Sequence, residues 1–165
     1  MNSEPKRAIE YYRQTIRFKP TYTEAYLNMG AIYGAQKDTK KAVDMYERAV
    51  ATKPHDADIV AHAYVNIGSI LTDTKTRLSY YQKAAKAHPT HPQALNNVGM
   101  LTQDPKEKEI WFKRAINVAP HFPDPHFNLG FMFHYENAER AAWHYKMAIQ
   151  MRPGFPQAVN NLAAL

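Results

Sequence analysis

Apolar side chains recur along the chain at helical spacing, as in YLNMGAIY over residues 26–33. There Tyr26, Met29 and Tyr33 follow the i, i+3, i+7 spacing that places side chains on one face of a helix. Asn28 interrupts this pattern, just before an apolar residue and a glycine. Asparagine is a poor residue for a helix interior, because its side chain competes for the hydrogen bonds of the backbone. The pattern therefore predicts a helix and leaves one amide to be explained.

Two linked signatures occur in five copies and predict pairs of helices. Five helical runs carry an aromatic residue followed three positions later by a small residue, and each of these runs ends at a proline. The prolines are Pro20, Pro54, Pro89, Pro120 and Pro153, spaced 34, 35, 31 and 33 residues apart. Proline ends a helix because it lacks a backbone N–H and clashes with the preceding turn. An Asn, an apolar residue and then Gly or Ala follow each proline, as NMG, NIG, NVG, NLG and NLA. We call the helix with the Asn signature helix A and the helix that ends at the proline helix B.

The predicted organisation is a single repeat array over residues 1–165. Residues 1–20 form helix B of a partial repeat, four full repeats cover 21–54, 55–89, 90–120 and 121–153, and residues 154–165 form helix A of a truncated repeat. The third repeat has four extra residues before Tyr64 and three fewer between its helices, about one helical turn each. Its A helix is therefore predicted to begin near Asp56 and to end near Leu71. Asp38, Asp104 and Asn137 are predicted to cap helices.

The two ends of the array carry a further prediction. Repeat proteins normally end in capping repeats with a polar outer face. Neither end of this chain has that character, so we expect a segment of a longer array. The last A helix lacks its own B helix, and we expect it to fray or to associate end to end with a second copy.

The repeated residues carry a resemblance to the tetratricopeptide repeat (TPR) family over nearly the whole chain. The fullest copy of that family's signature consists of Tyr26, Met29, Gly30, Tyr33, Ala42, Tyr46, Ala49 and Pro54. The resemblance implies an all-α fold, a TPR α-solenoid in which antiparallel helix pairs form a right-handed superhelix. It also implies that the A helices line the concave face.

One asparagine occupies the same position in all five A helices. These residues are Asn28, Asn66, Asn97, Asn128 and Asn161. In one interpretation they are spacers that bond only to neighbouring helices. In the other they form a ladder, because a carboxamide offers both a donor and an acceptor to the backbone of an extended peptide. The ladder is similar to that in the TPR arrays of O-linked N-acetylglucosamine transferases. Phe131 is expected to point into the groove beside Asn128 and to line an apolar pocket.

The distribution of charge favours an electrically neutral groove. The net charge is +6, yet all 21 Lys and Arg residues lie in predicted B helices or turns and none lies in an A helix. The concave face would keep Glu24, His62, Asp124 and His134 as its main polar outliers. The convex face would be basic, with residues that include Lys40, Lys41, Arg48, Lys106 and Lys108. That face is either a solvated surface or a second contact for an acidic partner.

Composition and motifs exclude several other classes of protein. The chain has no cysteine, no apolar run long enough for a membrane span and no signal peptide, so an intracellular location, cytoplasmic or nuclear, is expected. The HPTH segment at 88–91 is interrupted by a proline in a turn, which argues against a metal site. Most aromatic residues occupy core positions of the repeat, which argues against nucleic acid as a partner. No catalytic constellation and no cofactor motif occurs.

Two functions remain at this stage. The first is a non-catalytic module for protein–protein interaction, which holds an extended peptide segment in the groove through the asparagine ladder. The alternative is the substrate-recruiting TPR segment of a larger glycosyltransferase similar to the O-linked N-acetylglucosamine transferases.

Overall fold

The computed structural model describes residues 3–165, and this part of the chain forms ten α-helices and no strand. The helices are α1 (Ser3–Phe18), α2 (Thr23–Ala35), α3 (Thr39–Thr52), α4 (Ala57–Ile70), α5 (Thr74–Ala87), α6 (Pro92–Leu101), α7 (Pro105–Val118), α8 (Pro123–Phe133), α9 (Ala138–Met151) and α10 (Pro156–Ala163). The predicted all-α class is confirmed. The even-numbered helices are the predicted A helices and the odd-numbered helices are the predicted B helices.

Helix ends follow the turn residues of the sequence. Each B helix ends two residues before its proline, at Phe18, Thr52, Ala87, Val118 and Met151. The A helix of the third repeat begins at Ala57 after its N-cap Asp56 and ends at Ile70 before its C-cap Leu71, as predicted. The extra turn in this repeat is therefore absorbed at the N-terminal end of α4.

Local side chains satisfy the free N–H groups at most helix starts. The predicted caps are confirmed: Asp38 accepts from the N–H of Lys41, Asp104 from Glu107 and Asn137 from Arg140, at 3.2, 2.8 and 2.9 Å. Asp56 and Asp73 cap α4 and α5 in the same way. Such caps stabilise a helix by about 1 kcal/mol each, because an N–H group at the first turn has no partner within the helix.

The chain divides into two compact units at the predicted repeat boundary between Pro89 and Thr90. The first unit contains α1–α5, and its core cluster includes Ile9, Met29, Tyr33, Tyr46 and Ile67. The second unit contains α6–α10, and its core cluster includes Phe112, Leu129, Phe133, Tyr145 and Phe155. In both units apolar side chains of A and B helices form the core together.

All cationic side chains lie outside the A helices, as predicted. The 21 Lys and Arg residues are in α1, α3, α5, α7 and α9 or in the turns. The A helices α2, α4, α6, α8 and α10 therefore present mostly neutral side chains. Among the described helices, none combines the length and the apolar character that crossing a bilayer requires.

Candidate functional site

The five repeated asparagines lie at equivalent positions of the A helices but differ in their hydrogen bonds. In the first unit Asn28 on α2 is exposed and Asn66 on α4 is half-buried. No hydrogen bond among residues 3–165 uses either of these two side chains. In the second unit Asn97, Asn128 and Asn161 on α6, α8 and α10 are half-buried, and all three side chains are bonded.

Within the second unit the asparagines bond to neighbouring side chains. Asn128 Nδ2 donates to Asn96 Oδ1 at 2.9 Å, which joins α8 to α6. Asn96 Nδ2 in turn is 3.5 Å from Asn97 Oδ1. Asn161 Nδ2 donates to the hydroxyl of Tyr145 at 3.4 Å. Two of these bonds, from Asn128 to Asn96 and from Asn161 to Tyr145, therefore join neighbouring helices. The Oδ1 atoms of Asn128 and Asn161 receive no hydrogen bond from residues 3–165 and remain available as acceptors.

A cavity of about 650 Å³ lies beside these acceptors in the second unit. Phe131 and Asn128, which the sequence places together, both line it. Phe131 is 62% exposed and Met100 is 50% exposed, so two large apolar side chains of this lining are exposed to solvent. The remaining lining residues are Lys108, Phe112, Phe127, Met132, Gln157 and Asn161. The cavity thus combines an apolar wall with three amide side chains.

The position of Lys108 corrects the sequence-based assignment of this residue to the convex face. Lys108 lines the cavity, as does Phe112 four residues later on α7. Residues four apart lie on the same face of a helix, so the side of α7 that presents Phe112 also presents Lys108. The cavity therefore holds one cation and no carboxylate among its lining residues.

The predicted polar outliers have different surroundings. Glu24 and His62 are exposed on α2 and α4. Asp124 accepts from Arg152 Nη2 at 2.8 Å, so its charge is paired. His134 is half-buried, with its Nδ1 3.3 Å from the hydroxyl of Tyr145. None of these four residues lines the cavity beside Asn128.

Two features of the second unit were missed at the sequence level. Asn96 is 4% exposed and accepts the bond from Asn128. An NN doublet occurs at residues 96–97, but the same doublet at 160–161 leaves Asn160 exposed, so the sequence carries no specific signal for this bond. The other feature is a pair of histidines, the buried His126 on α8 and the half-buried His144 on α9, with their Nδ1 atoms 3.0 Å apart.

Burial controls the protonation of the histidine pair. Desolvation lowers the pKa of His144 from 6.5 to about 4, and the neighbouring His126 and Arg140 add to the effect. Burial also lowers the pKa of His126. Both rings are therefore neutral at neutral pH, and one Nδ1 donates to the other. No group of three or more His, Cys, Asp or Glu side chains within residues 3–165 is arranged to hold a metal ion.

The comparisons with known proteins agree with the repeat pattern. The family model described as the tetratricopeptide repeat matches residues 23–56, which include α2 and α3. No curated protein sequence matches the chain.

Several solved structures share the fold, and two of the following three are described as TPR proteins. The chain is similar to YrrB, described as "a TPR protein with an unusual peptide-binding site", with 24% identity, a TM-score of 0.66 and coverage of 96% of this chain and 83% of that chain. It is also similar to BtubC from P. vanneervenii, with 16% identity, a TM-score of 0.79 and coverage of 98% and 80%. A third is a thermophilic TPR protein of Thermus thermophilus, with 15% identity, a TM-score of 0.68 and coverage of 94% and 87%. The predicted fold, a TPR α-solenoid of helix pairs, is confirmed.

Proposed function

We propose that this chain is a non-catalytic protein–protein interaction module that binds an extended peptide segment along its A helices. The cavity beside Asn128, Phe131 and Asn161 is the observation that carries the proposal. It places partly exposed amide side chains next to exposed apolar side chains. Binding sites combine an apolar wall with a few polar groups that orient the ligand in this way.

The hydrogen-bonding groups of the cavity suit a peptide backbone. The Oδ1 atoms of Asn128 and Asn161 can each accept from a peptide N–H, and the side chain of Gln157 offers both a donor and an acceptor. Asn28 and Asn66 present unbonded amides in the first unit, where they can contact the same kind of ligand. In this proposal Asn28, Asn66, Asn97, Asn128 and Asn161 form the ladder. Contacts of this type bind main chain and are independent of the sequence of the peptide.

The apolar wall provides the contacts that depend on sequence. Phe131 and Met100 expose large apolar surfaces that an incoming side chain would cover. Burial of apolar surface contributes about 25 cal/mol per Å², so one anchoring side chain adds up to about 2 kcal/mol. The likeness to YrrB, whose description names a peptide-binding site, supports the same kind of ligand.

The test uses peptides selected from a displayed library of random sequences with this protein as bait. We expect the double substitution Asn97→Ala and Asn128→Ala to weaken every selected peptide by a similar factor. A loss of about 2 kcal/mol corresponds to about thirtyfold in affinity. Asn161→Ala should weaken binding as well, whereas Asn160→Ala on the exposed neighbouring position of α10 should not. Calorimetric titration measures these affinities.

Denaturation of the same variants separates the ladder from the spacer interpretation. Asn128→Ala removes the bond to Asn96, so we expect the free energy of unfolding to fall by about 1 kcal/mol as well. Unchanged peptide affinity together with a large loss of stability would mean that the asparagines are spacers alone. Phe131→Ala should change the ranking of the peptides, because it alters a side-chain contact.

The alternative function would use the same groove. A substrate-recruiting segment of a glycosyltransferase similar to the O-linked N-acetylglucosamine transferases would also hold its substrate protein by main-chain contacts. The gene that encodes this chain distinguishes the two functions. A glycosyltransferase domain in the same reading frame would support the alternative, and further repeats or a scaffold domain would support the interaction module.

A further inference from the structure

A second cavity, of about 520 Å³, lies in the first unit among α1, α2 and α3. Its lining differs in character from that of the cavity beside Asn128. Four cationic side chains and one carboxylate surround it, namely Arg13, Arg17, Lys41, Arg48 and Asp44. The remaining lining residues are apolar or aromatic: Ile16, Tyr26, Met29, Tyr33 and Met45. None of the five repeated asparagines belongs to this lining.

The cationic side chains of this cavity are only partly neutralised. Lys41 Nζ pairs with Asp38 at 2.6 Å and Arg48 Nε pairs with Asp44 at 3.1 Å. Within residues 3–165, Arg13 Nη2 donates only to the hydroxyl of Tyr33, at 3.3 Å. Arg17 has no hydrogen bond or ion pair with any residue that the structure describes. Two guanidinium groups, one helical turn apart on the same face of α1, are therefore left without a carboxylate.

The apolar part of the lining consists of aromatic, thioether and aliphatic side chains. Tyr26, Met29 and Tyr33 are buried, and Ile16 and Met45 are half-buried around them. Aromatic and thioether side chains pack favourably against a further ring. The cavity thus joins an apolar floor to two free positive charges at its edge.

We propose that this cavity binds an aromatic ring that carries a phosphate monoester. A phosphate monoester bears a charge of about −1.5 to −2 at neutral pH, which matches the two uncompensated guanidinium groups. A carboxylate supplies only one negative charge. Arginine also presents its N–H groups in a planar fork that fits phosphate oxygens. Phosphotyrosine in a partner protein and a free aromatic phosphate share this chemistry. This cavity shares no lining residue with the cavity beside Asn128.

The test is a titration of the protein with phenyl phosphate, inorganic phosphate and phenylacetate. We expect phenyl phosphate to bind at least about tenfold more tightly than either other probe. Only phenyl phosphate combines a phosphate group for the two guanidinium groups with a ring that packs on the apolar floor. Resonances of the Met29 and Met45 methyl groups should shift on binding. Equal affinity for inorganic phosphate, or shifts confined to other methyl groups, would overturn the proposal.

Substitutions on α1 supply the matched controls. Arg13→Gln and Arg17→Gln should each weaken phenyl phosphate about tenfold, whereas Arg7→Gln, on the same helix but outside the cavity, should not. Arg17→Lys should retain part of the affinity, because lysine keeps the positive charge but lacks the planar guanidinium group that fits phosphate oxygens. Thermal unfolding verifies that each variant remains folded. Equal losses in all three Gln variants would mean non-specific attraction and would contradict the site.

A peptide arm identifies the source of the ligand. A synthetic peptide with phosphotyrosine between Gly and Ser residues is compared with its unphosphorylated form. Binding of the phosphorylated peptide at least as tightly as phenyl phosphate supports a partner protein as the source. If phenyl phosphate binds and the phosphorylated peptide does not, the result supports a free aromatic phosphate as the ligand. Binding of neither probe overturns the proposal and leaves the groove for extended peptides unaffected.

Discussion

At the scale of single residues, two polar pairs lie within the second unit. The Asn128–Asn96 bond joins two A helices, and the His126–His144 bond joins α8 to α9. A buried polar group costs free energy unless it is hydrogen-bonded, and in both pairs the two side chains hydrogen-bond to each other. The histidine pair requires at least one neutral ring, because one Nδ1 must accept. Its protonation is therefore linked to the stability of the fold.

The first prediction is that acid destabilises the protein through His144. The folded state holds the pKa of His144 at about 4, below the ordinary value of 6.5. The unfolded chain then binds a proton first as the pH falls, so the free energy of unfolding should be constant above about pH 7.5 and decrease from pH 6.5 toward 4. Solvent screening at this partly accessible site limits the loss to about 1–2 kcal/mol.

Urea denaturation at a series of pH values measures this effect. Arg140 and Lys113 also lower the pKa of His144, whereas Glu109 raises it. His144→Gln should reduce this pH dependence, since glutamine can still bond to His126 and does not titrate. Burial also lowers the pKa of His126, so His126 keeps part of the slope. His121→Gln, at an exposed position, should leave the slope unchanged. An unaltered slope in His144→Gln would assign the effect to other groups.

At the scale of helices, each pair depends on close contact between a glycine of helix A and a ring of helix B. A Cβ atom built on Gly30 would lie 2.8 Å from the ring of Tyr46, and one built on Gly130 would lie 2.6 Å from the ring of Tyr145. Both rings are buried, so they cannot move aside without disturbing the core. The recurrent Gly after the Asn and apolar positions is therefore a packing requirement. It sets how closely the two helices of a repeat approach.

The second prediction is that Gly130→Ala destabilises the second unit. Overpacking of a core destabilises a protein by about 1–3 kcal/mol, and the better helix propensity of alanine offsets about 1 kcal/mol of that loss. We expect a net loss of up to about 2 kcal/mol in the free energy of unfolding, measured by chemical denaturation. Gly154→Ala is the control, because no atom lies within 4 Å of its Cβ position. A neutral Gly130→Ala would show that Tyr145 can shift at little cost.

At the scale of the whole molecule, the positively charged side chains lie in the B helices and the turns. All 21 Lys and Arg residues lie outside the A helices, while the net charge is +6. The cavity beside Asn128 has one lysine and no carboxylate in its lining, and the cavity among α1, α2 and α3 has four cations and one carboxylate. The two proposed sites should therefore respond differently to ionic strength.

The third prediction concerns salt. Raising NaCl from about 0.1 M to about 1 M shortens the Debye length from about 10 Å to about 3 Å. We expect phenyl phosphate to lose about tenfold or more in affinity over this range, because its binding depends on exposed charges. Uncharged peptides selected for the groove should change by less than about threefold. Parallel titrations measure both ligands, and an equal salt dependence would contradict the assignment of the two sites.

The sequence by itself determined the local features of this protein. Helix bounds, the caps Asp38, Asp104 and Asn137, and the absence of cations from the A helices all follow from residues close together in the chain. Proline, glycine and capping side chains act within a few residues of a helix end, so their effects can be predicted from the order of residues alone.

Only the tertiary structure decided which of these residues meet. Asn96 and Asn128 are 32 positions apart, His126 and His144 are 18 apart, and Arg13 and Tyr33 are 20 apart. The repeat predicts that such residues lie on neighbouring helices, but a difference of one position along a helix turns a side chain by about 100°. For this reason the position of Lys108 beside the cavity, the pairing of Asn96 with Asn128 and the basic cavity among α1, α2 and α3 depend on how the helices pack.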